Sequence, residues 1–109
     1  MNSGPMSGAR RNETDVPGRG VAGSFESCDA LVVVTLPPPG GGVSLHLESP
    51  SLAVCGDRMR RVALETLCAL GVTDADVVIR DRGALDCTLA ARVETAVRRA
   101  RASAEVSRP

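Results

Sequence analysis

The chain has 109 residues, balances 13 basic against 13 acidic side chains for a formal charge of zero, and holds one Phe, no Trp and no Tyr. That length builds one small domain with little room for a deep pocket. Zero net charge gives no general attraction to nucleic acid or an anionic membrane, and no apolar run suits a signal peptide or a bilayer span, so the expected compartment is the cytoplasm.

Residues 1–21 open as MNSGPMSGARRNETDVPGRG, rich in Gly, Ser, Pro, Asn and Arg, with neither a helical nor a strand period. They are expected to form a disordered leader. At its end, Gly18-Arg-Gly-Val-Ala-Gly23 spells G-x-G-x-x-G. A dinucleotide site needs a strand before the first glycine and a helix after the last, whereas Pro17 precedes this run and a strand-like run follows it, so no such site is expected.

Asp29-Ala-Leu-Val-Val-Val-Thr-Leu36 is dense in β-branched residues and reads as the first strand. Pro37-Pro38-Pro39-Gly40-Gly41-Gly42 stops it and can reverse the chain. Val43 to Glu48 alternates apolar and polar residues, which predicts a half-buried antiparallel partner in a hairpin. Ser49-Pro50 offers an N-cap with proline at the first helical position, and Met59, Val62, Ala63, Thr66, Leu67 and Leu70 recur at helical spacing. Gly56 weakens the first turn of that helix, so its firm part is expected from Asp57. Ala75 to Arg80 reads as a third strand, and the turn Asp81-Arg82-Gly83 leads to a second helix with Leu85, Leu89, Val93, Ala96, Val97 and Ala100 on one stripe. The predicted order is β-β-α-β-α, an α+β two-layer sandwich with both helices on one face of a small sheet. The folded domain is placed at residues 22–103 and a flexible tail at 104–109.

The residue types that carry chemistry do not assemble into a catalytic set. Cys28, Cys55, Cys68 and Cys87 lack a Cys-x-x-Cys pair and the lone His46 has no cysteine nearby, so no metal site is expected; Cys68 and Cys87 read as buried small apolar residues. His46 falls on the polar side of its strand with no nucleophile placed to meet it. Asp57, Asp81 and Asp86 sit where turns and helix starts place acids for capping. Arg58, Arg60 and Arg61 on the first helix and Arg92, Arg98, Arg99 and Arg101 on the second could form a phosphate-binding face or a solvated, acid-balanced surface. With Phe25 as the one stacking platform, nucleic acid is disfavoured. Ser27 is a hydroxyl where the leader meets the folded domain, a place suited to modification.

Gly23-Ser-Phe-Glu-Ser-Cys-Asp29, Gly56-Asp-Arg-Met-Arg-Arg61 and above all Asp81-Arg-Gly-Ala-Leu-Asp-Cys-Thr-Leu-Ala-Ala-Arg-Val-Glu94 resemble the acyl carrier protein, or gamma subunit, of bacterial citrate lyase, in the same order across Ala22 to Ala102. The resemblance implies a non-catalytic carrier whose Ser27 bears a phosphodiester-linked 2'-(5''-phosphoribosyl)-3'-dephospho-CoA, with acetyl and citryl thioesters on its thiol. It implies as partners the alpha (acyl transferase) and beta (citryl lyase) subunits, a holo-carrier synthase and an acetyl-loading ligase. Glu26 and Asp29 would then flank an anionic arm and mildly repel it. Cys28 departs from the glycine usual in the family, and a left-handed backbone there would be strained in cysteine. The carrier subunit of malonate decarboxylase resembles this chain in size and arm chemistry and is the nearest alternative; a small α+β module binding RNA or an acidic protein is the alternative of another class.

Overall fold

In a computed structural model of the chain, residues 18–37 and 40–106 are described. The elements are β1 (Arg19–Gly23), β2 (Ala30–Thr35), β3 (Val43–Glu48), α1 (Leu52–Ala69), β4 (Ala75–Asp81) and α2 (Asp86–Val106). The α+β expectation holds, with one strand more than predicted. That strand, β1, takes in Arg19, Gly20 and Val21, which the sequence reading assigned to the leader; α2 likewise runs through residues 104–106 of the expected tail. Residues 1–17 and 107–109 of those segments lie outside the described residues.

The sheet order is β1-β2-β4-β3. β1 pairs antiparallel with β2, from Arg19 opposite Thr35 to Gly23 opposite Leu31. β2 pairs antiparallel with β4, from Ala30 opposite Asp81 to Thr35 opposite Asp76. β3 runs parallel to β4, from Val43 opposite Ala75 to Glu48 opposite Arg80. The predicted hairpin between β2 and β3 is therefore replaced by a hairpin between β1 and β2, and β4 lies between the two strands expected to pair. The reason lies at the entry to β4: the Asp74 carboxylate accepts the Gly40 and Gly42 N–H groups at 3.0 and 2.8 Å, and the Ala75 N–H donates to the Gly42 carbonyl. The glycine run is pinned across the start of β4 and cannot fold β3 back onto β2. These donors hold the Asp74 carboxyl below its ordinary range, the Gly42 N–H first and the Gly40 N–H next.

Both helices cover one face of the sheet. Strand residues alternate across the pleat, so Ala30, Val32 and Val34 of β2 and Ala75, Val77 and Ile79 of β4 point inward and are almost wholly buried. α2 meets them with Leu89, Val93, Ala96, Val97 and Ala100, and α1 with Met59, Ala63 and Leu67, each a stripe at helical spacing. Burying a side chain such as Leu67, Ile79 or Leu89 stabilises the fold by about 1.5–3 kcal/mol. The second expected stripe loses its first member: Leu85 precedes α2 and is exposed. α1 begins at Leu52 behind Ser51, earlier than Asp57, and the Ser51 carbonyl accepts the Val54 and Cys55 N–H groups. Cys68 and Cys87 are exposed rather than buried. Cys68 is one residue, about 100° of helical rotation, past the inward Leu67, and Cys87 sits in the open first turn of α2.

Gly20 lets α2 come down on β1. A Cβ at Gly20 would collide with the Ala96 carbonyl and the Ala100 N–H of α2, so strand and helix backbones are in direct contact there. The register also sets the plan of the molecule. Gly23, Ala30, Glu48 and Asp81 all lie at one end of the sheet, and there the turn of residues 24–29, the β3–α1 junction and the β4–α2 loop come together.

Candidate functional site

Ser27 sits in the β1–β2 turn, exposed, and its hydroxyl has no hydrogen-bond partner among the described residues. The turn around it is held on both sides. The Cys28 N–H donates to the Arg82 carbonyl at 2.7 Å and the Arg82 N–H donates to the Asp29 carbonyl at 2.9 Å, which carries the β2–β4 ladder into the turn. The Asp29 carboxylate accepts the Ala30 N–H at 2.7 Å, the Ser24 hydroxyl at 2.8 Å and the Arg92 Nε–H of α2 at 2.9 Å. The Arg92 hydrogen bond is the main reason the Asp29 carboxyl falls from 3.8 to about 2, with Ala30 and Ser24 adding to it. Asp29 is thus committed to a cation and leaves Glu26 as the exposed acid of the turn; the repulsion expected from the pair reduces to one carboxylate.

Cys28 has φ 66°, the one positive φ outside glycine among the described residues. The cysteine accepts the left-handed conformation that the sequence comparison with glycine raised, and the Arg82 carbonyl on its N–H holds it there. Gly23, at φ 85°, closes the other side of the turn; a Cβ on it would strike the Ala30 carbonyl.

The neighbouring loop is organised by Asp81, buried with 3% of its surface exposed. Its carboxylate accepts the Ser49 hydroxyl at 2.9 Å and the Gly83 and Ala84 N–H groups at 3.1 and 2.9 Å, which ties the start of α1 to the approach to α2. Arg82 follows it, with its guanidinium carbon 4.9 Å from the centroid of the Phe25 ring. Phe25 on the turn, Leu52 and Val54 at the start of α1 and Leu85 before α2 are all exposed. An open cleft of about 510 Å³ lies between the N-terminal turns of α1 and α2, with Cys55 and Cys87 on its walls and the Arg58–Asp86 ion pair (3.1 Å) beside it.

Other sequence candidates fall elsewhere. His46 is exposed on the open face of the sheet, 3.8 Å from Glu48. Asp57 is exposed on α1, and among the described residues no three His, Cys, Asp or Glu side chains gather to hold a metal. The arginine face is largely committed: Arg58, Arg92 and Arg98 pair with Asp86, Asp29 and Glu94, while Arg99 and Arg101 donate to the carbonyls of Val21 and Leu70. No helix among the described residues is long and apolar enough to cross a membrane. The sequence reading missed the Asp29–Arg92 pair and the Arg82–Phe25 contact. The signal available for the first was that both residues lie in the recognised segments.

Curated relatives match this chain over most of its length. The citrate lyase acyl carrier protein of Rhodopseudomonas palustris (strain BisA53) is 46% identical over 80 residues, 73% of this chain and 80% of the relative. Those of Escherichia fergusonii and Streptococcus mutans are 46% and 47% identical over 86 residues, 79% of this chain and 88% and 83% of theirs. The chain belongs to the citrate lyase acyl carrier protein family. Residues 18–100 also match the family model described as "Malonate decarboxylase delta subunit (MdcD)". That match begins at the residue before β1, so it covers the edge strand that composition alone assigns to a leader.

Proposed function

We infer that this chain is the acyl carrier subunit of a citrate lyase, and that Ser27 Oγ is joined by a phosphodiester to 2'-(5''-phosphoribosyl)-3'-dephospho-CoA. The observation that carries the reading is an exposed, unbonded Ser27 hydroxyl on a turn fixed by Arg82 and Arg92, in a chain of this family. Both the open approach and the rigid footing fit a covalent group that projects into solvent. When attached, that group supplies a thiol on which acyl units travel as thioesters. The chain's own residues do the presenting: Asp29 and Arg92 fix the turn against α2, Cys28 turns the backbone, and Ser27 stands clear of both. A tether of this kind replaces free diffusion with an effective concentration on the order of millimolar at a neighbouring active site.

Catalysis then belongs to partners. Phe25, Leu52, Val54 and Leu85 are exposed on the turn, the start of α1 and the β4–α2 loop at the same end as Ser27, and such side chains suit transient docking by the alpha and beta subunits, the attaching synthase and the acetyl-loading ligase. The compartment is the cytoplasm. A second reading, the carrier of malonate decarboxylase, is favoured by the description of the family model that residues 18–100 match.

Intact mass of the protein from its own cell tests the attachment. The mass is expected to exceed that of the chain by one phosphoribosyl-dephospho-CoA group, and Ser27→Ala is expected to remove the excess. A bare Ser27 in cells with an active citrate lyase overturns the reading. An assembled complex that releases carbon dioxide from malonate and leaves citrate intact selects the second one.

A further inference from the structure

We propose that Arg82, stacked on Phe25, is an anion clamp that holds the phosphoryl oxygens at the base of a group attached to Ser27. This rests on the Ser27 attachment proposed above and goes beyond it by assigning a binding role to two side chains. Around this end of the molecule, Arg58, Arg80 and Arg92 each face a carboxylate: Asp86, Glu48 and Asp29. Arg82 does not. Its guanidinium has no hydrogen bond or ion pair among the described residues, and its carbon lies over the Phe25 ring, 4.9 Å from the centroid. A guanidinium stacked on a ring keeps its N–H edge free while losing rotamer freedom, so its planar fork stays preorganised for two oxygens of a phosphoryl group.

Position makes the phosphodiester the fitting ligand. Phe25 is two residues before Ser27, and the Arg82 carbonyl is bonded to the N–H of the residue after it. The backbones of both residues are thereby tied to the segment that bears the hydroxyl, and the ring contact holds the two side chains together. A phosphoryl group bonded to Ser27 Oγ is always present at this site, at an effective concentration on the order of millimolar or above. A clamp with an intrinsic dissociation constant on the order of millimolar is then occupied much of the time. The base of the arm is held while its distal end stays free to move.

The chain in its unmodified form, titrated with inorganic pyrophosphate against chloride at matched ionic strength, tests the clamp by 1H–15N NMR that includes the arginine Nε–Hε signals. The expected perturbations centre on Arg82, Phe25 and residues 24–29. Arg82→Gln is expected to weaken binding about tenfold, the scale of one hydrogen bond to a charged group, and Phe25→Leu by less. Equal binding by Arg82→Gln, or perturbations that centre instead on Arg60 and Arg61, overturns the proposal and leaves Arg82 as a side chain for a partner's carboxylate. In the modified protein, the 31P resonance of the phosphodiester is expected to sharpen and shift in Arg82→Gln relative to the parent; identical resonances also overturn it. Failure of the attachment reading shows separately, as an intact mass without the added group.

Discussion

Left-handed backbone at Cys28 costs an L-residue about 1–2 kcal/mol, and the turn keeps it because the Arg82 carbonyl, the start of β2 and Asp29 together fix the path of the chain. Cys28→Gly is expected to raise stability by up to about 1 kcal/mol, strain relief less the added freedom of glycine in the unfolded chain. Cys28→Ala, which keeps the strain, is expected to give no such gain; equal urea midpoints for the two variants contradict the assignment of strain. Next to it, Asp29 makes the fold sensitive to acid. Its carboxyl is depressed from 3.8 to about 2 in the folded protein, so its stabilising effect is complete above roughly pH 5 and is lost as pH falls through 3.8 toward 2. Asp29→Asn is expected to be less stable than the parent at neutral pH, with the gap closing in acid. A gap that stays constant down to pH 2 by denaturation refutes the Arg92 pairing as its source.

The edge strand β1 and helix α2 behave as one packed unit whose spacing is set by Gly20. Any Cβ there meets α2 backbone, which cannot rotate away, so Gly20→Ala is expected to cost about 1–3 kcal/mol or more by forcing strand and helix apart. Val21→Ala, on the open face one residue on, serves as the comparison, and an equal loss in thermal denaturation would argue against close backbone approach. The same glycine explains why β1 was illegible. Arg19-Gly-Val-Ala-Gly23 has low local strand preference and reads as linker, yet its small residues are there for contact with an element that begins 63 residues after Gly23, at Asp86. Helical stripes on α1 and α2 could be read because their period is local, whereas strand order could not. Three prolines and three glycines announce a reversal without saying that β4 will enter between the strands they join. At the site, the resemblance of its segment is what singles out Ser27 as the proposed anchor. The Asp29–Arg92 bond that steadies it depends on how the sheet and α2 meet.

At the scale of the whole molecule, the two ends of the sheet are unlike. One gathers Ser27, Arg82, the buried Asp81 and the exposed apolar side chains. At the other, the Gly18 N–H donates to the Ser103 hydroxyl of α2 and the Leu36 N–H to the Gly18 carbonyl, so the chain enters β1 beside the last turns of α2. The 21 residues of α2 span about 30 Å between those ends. A folded tag fused before residue 18 or after residue 106 is therefore expected to leave the mass gain proposed for Ser27 intact; loss of that gain with either fusion, in a chain that still folds and gains the mass untagged, contradicts this separation. A neighbour that approaches the Ser27 hydroxyl would meet residues 24–29, Arg82 and the exposed Leu85 first, whereas the entry to β1 and the last turns of α2 lie at the far end.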